Sequence, residues 1–190
     1  MPHAVVVVGP AGSGKSTVAT AIATRISAAY LDKDRLFEPF VGALLVALGE
    51  DATSRELSTV YRSQVMDLEY SSLFTAAGGN LRNGVSVVID APFAGRLDDE
   101  GYLARMRRQA EWPPARVVVV VVRVPPDLAR FRLAERGLQR DRDKLANWEE
   151  FWAEHGWPTC SWADADVVEL ANDSAVDLAK LETLLPSRSP

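Results

Sequence analysis

The amino-acid sequence predicts an α/β fold with a five-stranded parallel sheet and helices on both faces. Five short apolar runs rich in β-branched residues alternate with segments of helical character, which is typical of right-handed crossovers in a parallel sheet. The clearest run, residues 116–124, is almost continuous valine, as expected for a strand buried on both faces. Such sheets bind their ligands beyond the carboxyl ends of the strands.

A strand predicted at residues 4–8 is followed by GPAGSGKST, residues 9–17, and by a helix predicted over residues 16–26. Two glycines bracket four residues, and a lysine and a serine follow, which is the pattern of a phosphate-binding loop. Glycines let successive backbone N–H groups turn inward, and the helix adds the positive end of its dipole. The alternative is a glycine-rich turn that matches by chance, which the strand and helix on either side disfavour.

We expect this loop to bind ATP. Lys15 is predicted to reach the β- and γ-phosphates, and the Ser16 hydroxyl to hold Mg²⁺. The residues expected to contact the nucleotide here are Gly9, Gly12, Ser13, Gly14, Lys15, Ser16 and Thr17.

Two further predicted strands end at acidic residues. Residues 28–32 end at Asp32, with Asp34 two positions later, and residues 85–90 end at Asp90. We assign Asp32 to the magnesium shell, Asp34 to the acceptor hydroxyl, and Asp90 to a second metal-water partner or an acceptor ligand. Which acid is the base and which holds the metal stays open, and solvated loop residues or helix caps are the alternative. If the strand continues, Asp32 and Asp34 lie on one face of it.

The remaining elements follow from periodicity and from capping and turn residues. The helices are predicted at residues 42–48, from Ser54 as N-cap to about 77, at 98–111, from Pro125 to about 136, at 140–154 and at 174–185, with a fifth strand at 166–170.

A row of arginines follows the fourth strand. Arg132 and Arg136 are four residues apart on a predicted helix and therefore point the same way, and Arg140 comes just after Gly137. Arginines delivered to this edge of the sheet can neutralise charge on a transferring phosphoryl group. We expect residues 137–147 to form a mobile lid, with a solvated helix face as the alternative.

Four stretches resemble the small P-loop kinases of the nucleoside-monophosphate kinase-like fold. They are GPAGSGKST at 9–17, LDKD at 31–34, VVIDAPF at 87–93 and RLAERGLQRD at 132–141. Within that group they are most similar to gluconate kinase, shikimate kinase and chloramphenicol phosphotransferase. The resemblance implies a P-loop NTPase fold with strand order 2-3-1-4-5, ATP and Mg²⁺ as cofactors, Arg132 against the adenine, and Arg136 and Arg140 on phosphates.

The segment between the second and third strands, residues 35–83, is expected to bind the acceptor. Its aromatic side chains suit a neutral or partly apolar acceptor, such as an antibiotic, a sugar or a nucleoside, unless they pack a helical hairpin. The sequence shows no basic pair around Asp34 of the kind that an acidic sugar would require.

Composition limits the function classes. The 190 residues suggest a single domain, and a net charge of −5 argues against a general nucleic-acid or membrane binder. The single cysteine, Cys160, fits a reducing compartment, and no targeting segment is visible. We expect a cytoplasmic monomer or homodimer whose partner is a small molecule.

The sequence therefore predicts an ATP-dependent kinase that transfers the γ-phosphoryl group of Mg-ATP to a hydroxyl of a small molecule. Lys15, Asp34, Arg136 and Arg140 are the expected catalytic residues. The alternatives are a nucleoside, nucleotide or nucleotide-sugar kinase, and a nucleotide-dependent switch or assembly ATPase.

Overall fold

The computed structural model describes residues 1–53, 55, 58–93, 95–174, 176–182 and 185. Its centre is one sheet of five parallel strands in the order β2-β3-β1-β4-β5. The strands are β1 (His3–Val8), β2 (Ala29–Asp32), β3 (Val87–Asp90), β4 (Arg116–Arg123) and β5 (Asp166–Ala171). This confirms the predicted fold class and strand order. In the register, Asp32 is paired with Asp90, so both carboxylates lie at the carboxyl edge of the sheet.

Seven α-helices accompany the sheet in the described part of the chain. They are α1 (Lys15–Ile26), α2 (Lys33–Ala47), α3 (Met66–Arg82), α4 (Tyr102–Gln109), α5 (Pro126–Arg136), α6 (Arg142–Ala146) and α7 (Trp148–His155). A π-helical turn, Tyr61–Val65, leads into α3. None of the helices that the structure describes is long and apolar enough to cross a membrane.

The two faces of the sheet bury different residues of the same strands. In β4, the odd-numbered valines pack with α3 and α4 on one face, and the even-numbered valines pack with α1 on the other. Six consecutive residues of β4 are therefore buried, which explains its unbroken apolar sequence.

Several predicted helix boundaries are wrong. The helix predicted to end near residue 77 continues to Arg82, and Gly78 lies inside it. A Cβ atom on Gly78 would be 2.6 Å from the Ala110 carbonyl oxygen, so this glycine allows close packing and does not end the helix. The helix is continuous from residue 59, and Ser58 Oγ accepts a hydrogen bond from the Tyr61 N–H at its start. Ser54, the predicted N-cap, lies outside the described residues.

Four other predicted helices differ in extent. The one predicted at 42–48 is the second half of α2, which begins at Lys33. The helix at 98–111 is reduced to α4, and the one at 140–154 is divided by Asn147 into α6 and α7. Of the closing helix at 174–185, the described residues form only a 3₁₀ turn, Ala179–Leu181. Leu181 and Leu185 are nevertheless buried against α1, so the apolar spacing reports burial without an α-helix.

Candidate nucleotide and acceptor site

The phosphate-binding loop joins β1 to α1 and has the backbone that its glycines predict. Gly12 and Gly14 have φ angles of 80° and 81°, which favour glycine. Lys15 folds back over the loop, and its ammonium donates to the Pro10 carbonyl at 2.9 Å. Loss of water around this ammonium lowers the pKa of Lys15, although the Asp90 and Asp34 carboxylates act in the opposite direction.

Two side chains that are distant in sequence hold this loop. Asn172 follows β5, is buried, and donates through Nδ2 to the Ser13 carbonyl at 2.7 Å. Arg132 of α5 approaches the same carbonyl at 3.5 Å. Arg132 therefore lies beside the loop, while its contact with adenine stays a prediction. Sequence reasoning missed Asn172, because nothing in its neighbourhood connects it with a loop 159 residues away.

A tyrosine joins the two carboxylates at the ends of β2 and β3. The Tyr30 hydroxyl donates to Asp90 Oδ2 at 2.9 Å and lies 3.1 Å from Asp32 Oδ2. Burial raises the pKa of Asp90, and the nearby hydroxyls of Ser16 and Tyr30 and the Lys15 ammonium partly oppose this. The predicted convergence of Asp32, Asp90 and the loop is therefore observed, with Tyr30 as an additional member.

The oxygen atoms gathered here suit Mg²⁺. Ser16, Asp32 and Asp90 offer a hydroxyl and two carboxylates, which are hard ligands, and Mg²⁺ usually takes one or two carboxylates and completes its shell with water and phosphate oxygens. In the described part of the chain no three His, Cys, Asp or Glu residues are grouped as an all-protein metal site. Bound there, the ion would neutralise phosphate charge.

Asp34 occupies a different position from the predicted one. The strand ends at Asp32, whose Oδ1 accepts from the Arg35 N–H at 3.1 Å and so caps α2. Asp34 lies in the first turn of this helix, so the two carboxylates do not share a strand face. Asp34 therefore belongs to a helix, whereas Asp32 and Asp90 end two paired strands.

Basic residues surround Asp34, contrary to the expectation of no basic pair. Arg55 is 3.2 Å from Oδ1 and Arg140 is 3.1 Å from Oδ2, while Lys33 is 3.8 Å from Oδ1. Burial would raise the pKa of Asp34, but the three cations lower it overall. The expectation failed because the neighbouring Lys33 turns toward Asp34, and because Arg55 and Arg140 come from other parts of the chain.

The segment 137–147 contacts α2 through Arg140. This guanidinium bridges Asp34 and Glu38, the latter at 2.9 Å. Arg136 at the end of α5 instead binds the buried Asp141 carboxylate through Nε and Nη2, at 2.6 Å and 2.9 Å. Both predicted phosphate ligands therefore have carboxylate partners, and their contact with phosphates stays a prediction.

A buried ion pair supports the insert between β2 and β3. Lys33 Nζ lies 2.7 Å from Glu69 Oε2, and the Tyr61 hydroxyl donates to the same oxygen at 2.7 Å. The pair ties the start of α2 to α3 and so fixes the turn that carries Asp34. Sequence reasoning did not single out Lys33 and Glu69, because their charges are typical of solvated helix faces.

Three solved structures show the same fold. A putative kinase from Chloroflexus aurantiacus is 18% identical with a TM-score of 0.68, covering 96% of each chain. A sugar kinase from a Janibacter species is 21% identical with a TM-score of 0.58, covering 90% of this chain and 86% of that one. An APS kinase from Mycobacterium tuberculosis, in complex with AMPPNP and APS, is 21% identical with a TM-score of 0.57, covering 96% and 95%. No curated protein sequence matches the chain.

A family model described as an AAA domain matches residues 5–156. The match runs from β1 through the phosphate-binding loop and the segment around Asp34 to the end of α7, and it spans most of the chain. It includes Ser16, Asp32 and Asp90 as well as the arginines of α5 and the following turn. The chain therefore belongs to this AAA domain family and has the P-loop NTPase fold.

Proposed function

We propose that the protein is an ATP-dependent kinase that transfers the γ-phosphoryl group of Mg-ATP to a hydroxyl of a small molecule. The observation that carries this proposal is the position of Asp34. This carboxylate is near enough to Lys15 of the phosphate-binding loop to oppose the lowering of its pKa, and it lies in the first turn of α2, whereas Asp32 and Asp90 end two paired strands. A carboxylate in this position is available to an acceptor hydroxyl facing the γ-phosphate.

Phosphoryl transfer depends mainly on positioning the two reactants and stabilising the charge on the phosphates, and less on covalent chemistry by the protein. Lys15 and the loop N–H groups would hold the phosphates, and Arg136 and Lys144 lie near enough to Lys15 to lower its pKa, so both can act on phosphate charge as well. As the bond between the acceptor oxygen and phosphorus forms and the bond to the leaving ADP breaks, Asp34 would accept the hydroxyl proton. Because the lowered pKa of Asp34 makes this carboxylate a weak base, its main role would be to orient the hydroxyl.

We assign residues 35–83 and 137–147 on the same grounds. Residues 35–83 directly follow Asp34, include Arg55 and would form the acceptor side, and residues 137–147 include Arg140 and would close over it. The Arg140 contacts with Asp34 and Glu38 support both assignments, since they join the two regions at the reacting position. Gly137, with a φ of 61° after the end of α5, would be the joint of the lid.

The test is a screen for acceptor-dependent ADP release with neutral alcohols, sugars, nucleosides and hydroxy acids. The Asp34→Asn variant should lose about 10²–10⁴-fold in turnover while keeping its affinity for Mg-AMPPNP, because the carboxylate acts on the acceptor. The Lys15→Ala variant should lose both turnover and affinity for Mg-AMPPNP. Asp98→Asn, which changes an exposed carboxylate outside the site, is the matched control and should behave as the wild type.

Two results would contradict this proposal. An equal loss of turnover and of Mg-AMPPNP affinity in Asp34→Asn would place Asp34 in the metal shell. ATP hydrolysis that needs no acceptor and is unchanged in Asp34→Asn would favour a nucleotide-dependent switch or assembly ATPase.

A further inference from the structure

The insert between β2 and β3 contains an apolar groove. It lies between α2 on one side and α3 with its preceding π-helical turn on the other, and has a volume of about 150 Å³. Its apolar lining consists of Phe37, Phe40, Val41, Leu44, Val65 and Leu68. Phe40 and Leu68 are 75% and 63% exposed, so the groove opens to solvent. Apolar cavities of about this size accept a single aromatic ring.

One wall of the groove is a buried carboxylate with an unused oxygen. Glu69 lines the groove and is 3% exposed. Its Oε2 receives hydrogen bonds from Lys33 and Tyr61, both at 2.7 Å, but its buried Oε1 has no hydrogen-bond partner among the described residues. Leaving such an acceptor unpaired costs about 1–3 kcal/mol or more. Glu69 therefore lacks one hydrogen-bond donor, which a ligand seated beside it can supply.

The groove is adjacent to the proposed reacting position. Lys33 Nζ, which binds Glu69, lies 3.8 Å from Asp34 Oδ1. Phe37 belongs to the groove, and it is one helical turn after Asp34 on α2. A molecule of modest size can thus reach from the groove to Asp34.

The charges around the groove favour a neutral ligand. Lys33 balances Glu69, and the guanidinium groups of Arg55 and Arg140 balance Asp34 and Glu38. A ligand ammonium would add a second cation to Glu69, and a ligand carboxylate would face Glu69 without a cation of its own. A hydroxyl or amide N–H supplies the missing donor without disturbing this balance.

We propose that the groove binds the apolar part of the phosphate acceptor. The acceptor is then a neutral molecule with one aromatic ring or branched aliphatic group, a hydroxyl or amide N–H that donates to Glu69 Oε1, and a separate hydroxyl that reaches Asp34. This inference rests on the proposed kinase function for the role of the ligand, but the groove and its missing donor are independent of that function.

Binding can be measured without turnover by titrating the protein with 2-phenylethanol and following its ¹⁵N–¹H NMR spectrum. We expect saturable shifts at residues around the groove. The Ser72→Trp variant fills the groove from its rim and should weaken binding at least tenfold. Val46→Trp places the same ring on an exposed position of α2 outside the groove and should leave binding unchanged. The methyl ether of 2-phenylethanol, which cannot donate, should bind about tenfold more weakly.

The acceptor role is tested by the ADP-release screen. Neutral alcohols with an apolar group should be the active class, and Ser72→Trp should raise their KM at least tenfold with the KM for ATP unchanged. The inference is overturned if Ser72→Trp leaves 2-phenylethanol binding intact, if the ether binds as well as the alcohol, or if the active acceptor is a hydroxy acid unaffected by Ser72→Trp. Binding that Ser72→Trp blocks, together with no ADP release from any acceptor, would refute the kinase function and keep the groove as a binding site for neutral ligands.

Discussion

The buried Lys33–Glu69 pair gives the sharpest prediction about stability. Both side chains are almost completely removed from water, with 3% and 2% of their surfaces exposed. Lys33→Met would remove the cation and leave the Glu69 carboxylate buried, with Tyr61 as its remaining donor. Breaking a buried pair by removing one partner costs about 3–5 kcal/mol, so we expect a loss of this size in the free energy of unfolding.

The double variant Lys33→Met/Glu69→Leu should be much more stable than Lys33→Met alone. It removes both charges and fills the space with apolar groups, and such replacements are often neutral or stabilising. We expect it within about 2 kcal/mol of the wild type, the remaining cost coming from the unpaired Tyr61 hydroxyl. Glu69→Leu should also cost about 3–5 kcal/mol, because it leaves the Lys33 ammonium buried without its partner, so the coupling energy between the two positions is at least about 4 kcal/mol.

Urea unfolding, followed by circular dichroism, measures these differences. With slopes of about 1–3 kcal/mol per molar urea, a loss of 3–5 kcal/mol moves the midpoint by more than about 1 M. Arg25→Met is the matched control, since the Arg25–Glu182 pair has a similar separation of 3.0 Å but is 33% and 60% exposed. It should cost less than about 1 kcal/mol. A Lys33→Met cost as small as that of the control, or a double variant as unstable as the summed single variants, would refute the reasoning.

Three further predictions concern Tyr30, the phosphate-binding loop and the cysteine. Tyr30→Phe removes the hydroxyl between Asp32 and Asp90. Calorimetry should show that the affinity for AMPPNP falls about tenfold in the presence of Mg²⁺ and little in its absence. Equal losses of affinity with and without Mg²⁺ would contradict this. Gly12→Ala places a Cβ atom against the Ala129 carbonyl and puts alanine at a φ of 80°. This backbone strain should lower the free energy of unfolding by more than about 1–2 kcal/mol and weaken nucleotide binding. A variant as stable as the wild type would show that the strain is absent. Burial raises the pKa of the Cys160 thiol, so the pH profile of its alkylation by iodoacetamide should have a higher midpoint than that of free cysteine measured alongside. A midpoint equal to or below that of free cysteine would show that the thiol is solvated.

The phosphate-binding loop could be predicted because its residues are contiguous. The loop pattern fixes Lys15 and Ser16 through the spacing of its glycines, and the surrounding strand and helix have strong periodicity of their own. Asp90 could be placed as well, since the ends of parallel strands meet at one edge. Asn172 and Tyr30 could not, because a hydrogen bond between distant segments leaves no local pattern.

The surroundings of Asp34 were predicted less well for the same physical reason. The strand was predicted to end at Asp32, as it does, but the conditional expectation that Asp32 and Asp34 share a strand face is wrong, because the Asp32 side chain caps a helix that contains Asp34. The charges around Asp34 depend on Arg55 and Arg140, which are 21 and 106 residues away. The burial of Lys33 could not be predicted, because it depends on Glu69 in another helix. A local stretch of sequence can indicate a helix or a strand. The surroundings of Asp34 are instead set by ion pairs between segments that are distant in sequence.

The ion pairs of Asp34 also decide what this carboxylate can do in the proposed reaction. Arg55 occupies one of its oxygens and Arg140 the other, at 3.2 Å and 3.1 Å. Each carboxylate oxygen can accept two hydrogen bonds, so an acceptor hydroxyl can bind without displacing either guanidinium. The lowered pKa keeps Asp34 ionised at neutral pH, and it is therefore ready to orient a hydroxyl. Because Arg140 belongs to residues 137–147, the same contact joins acceptor orientation to closure of the proposed lid.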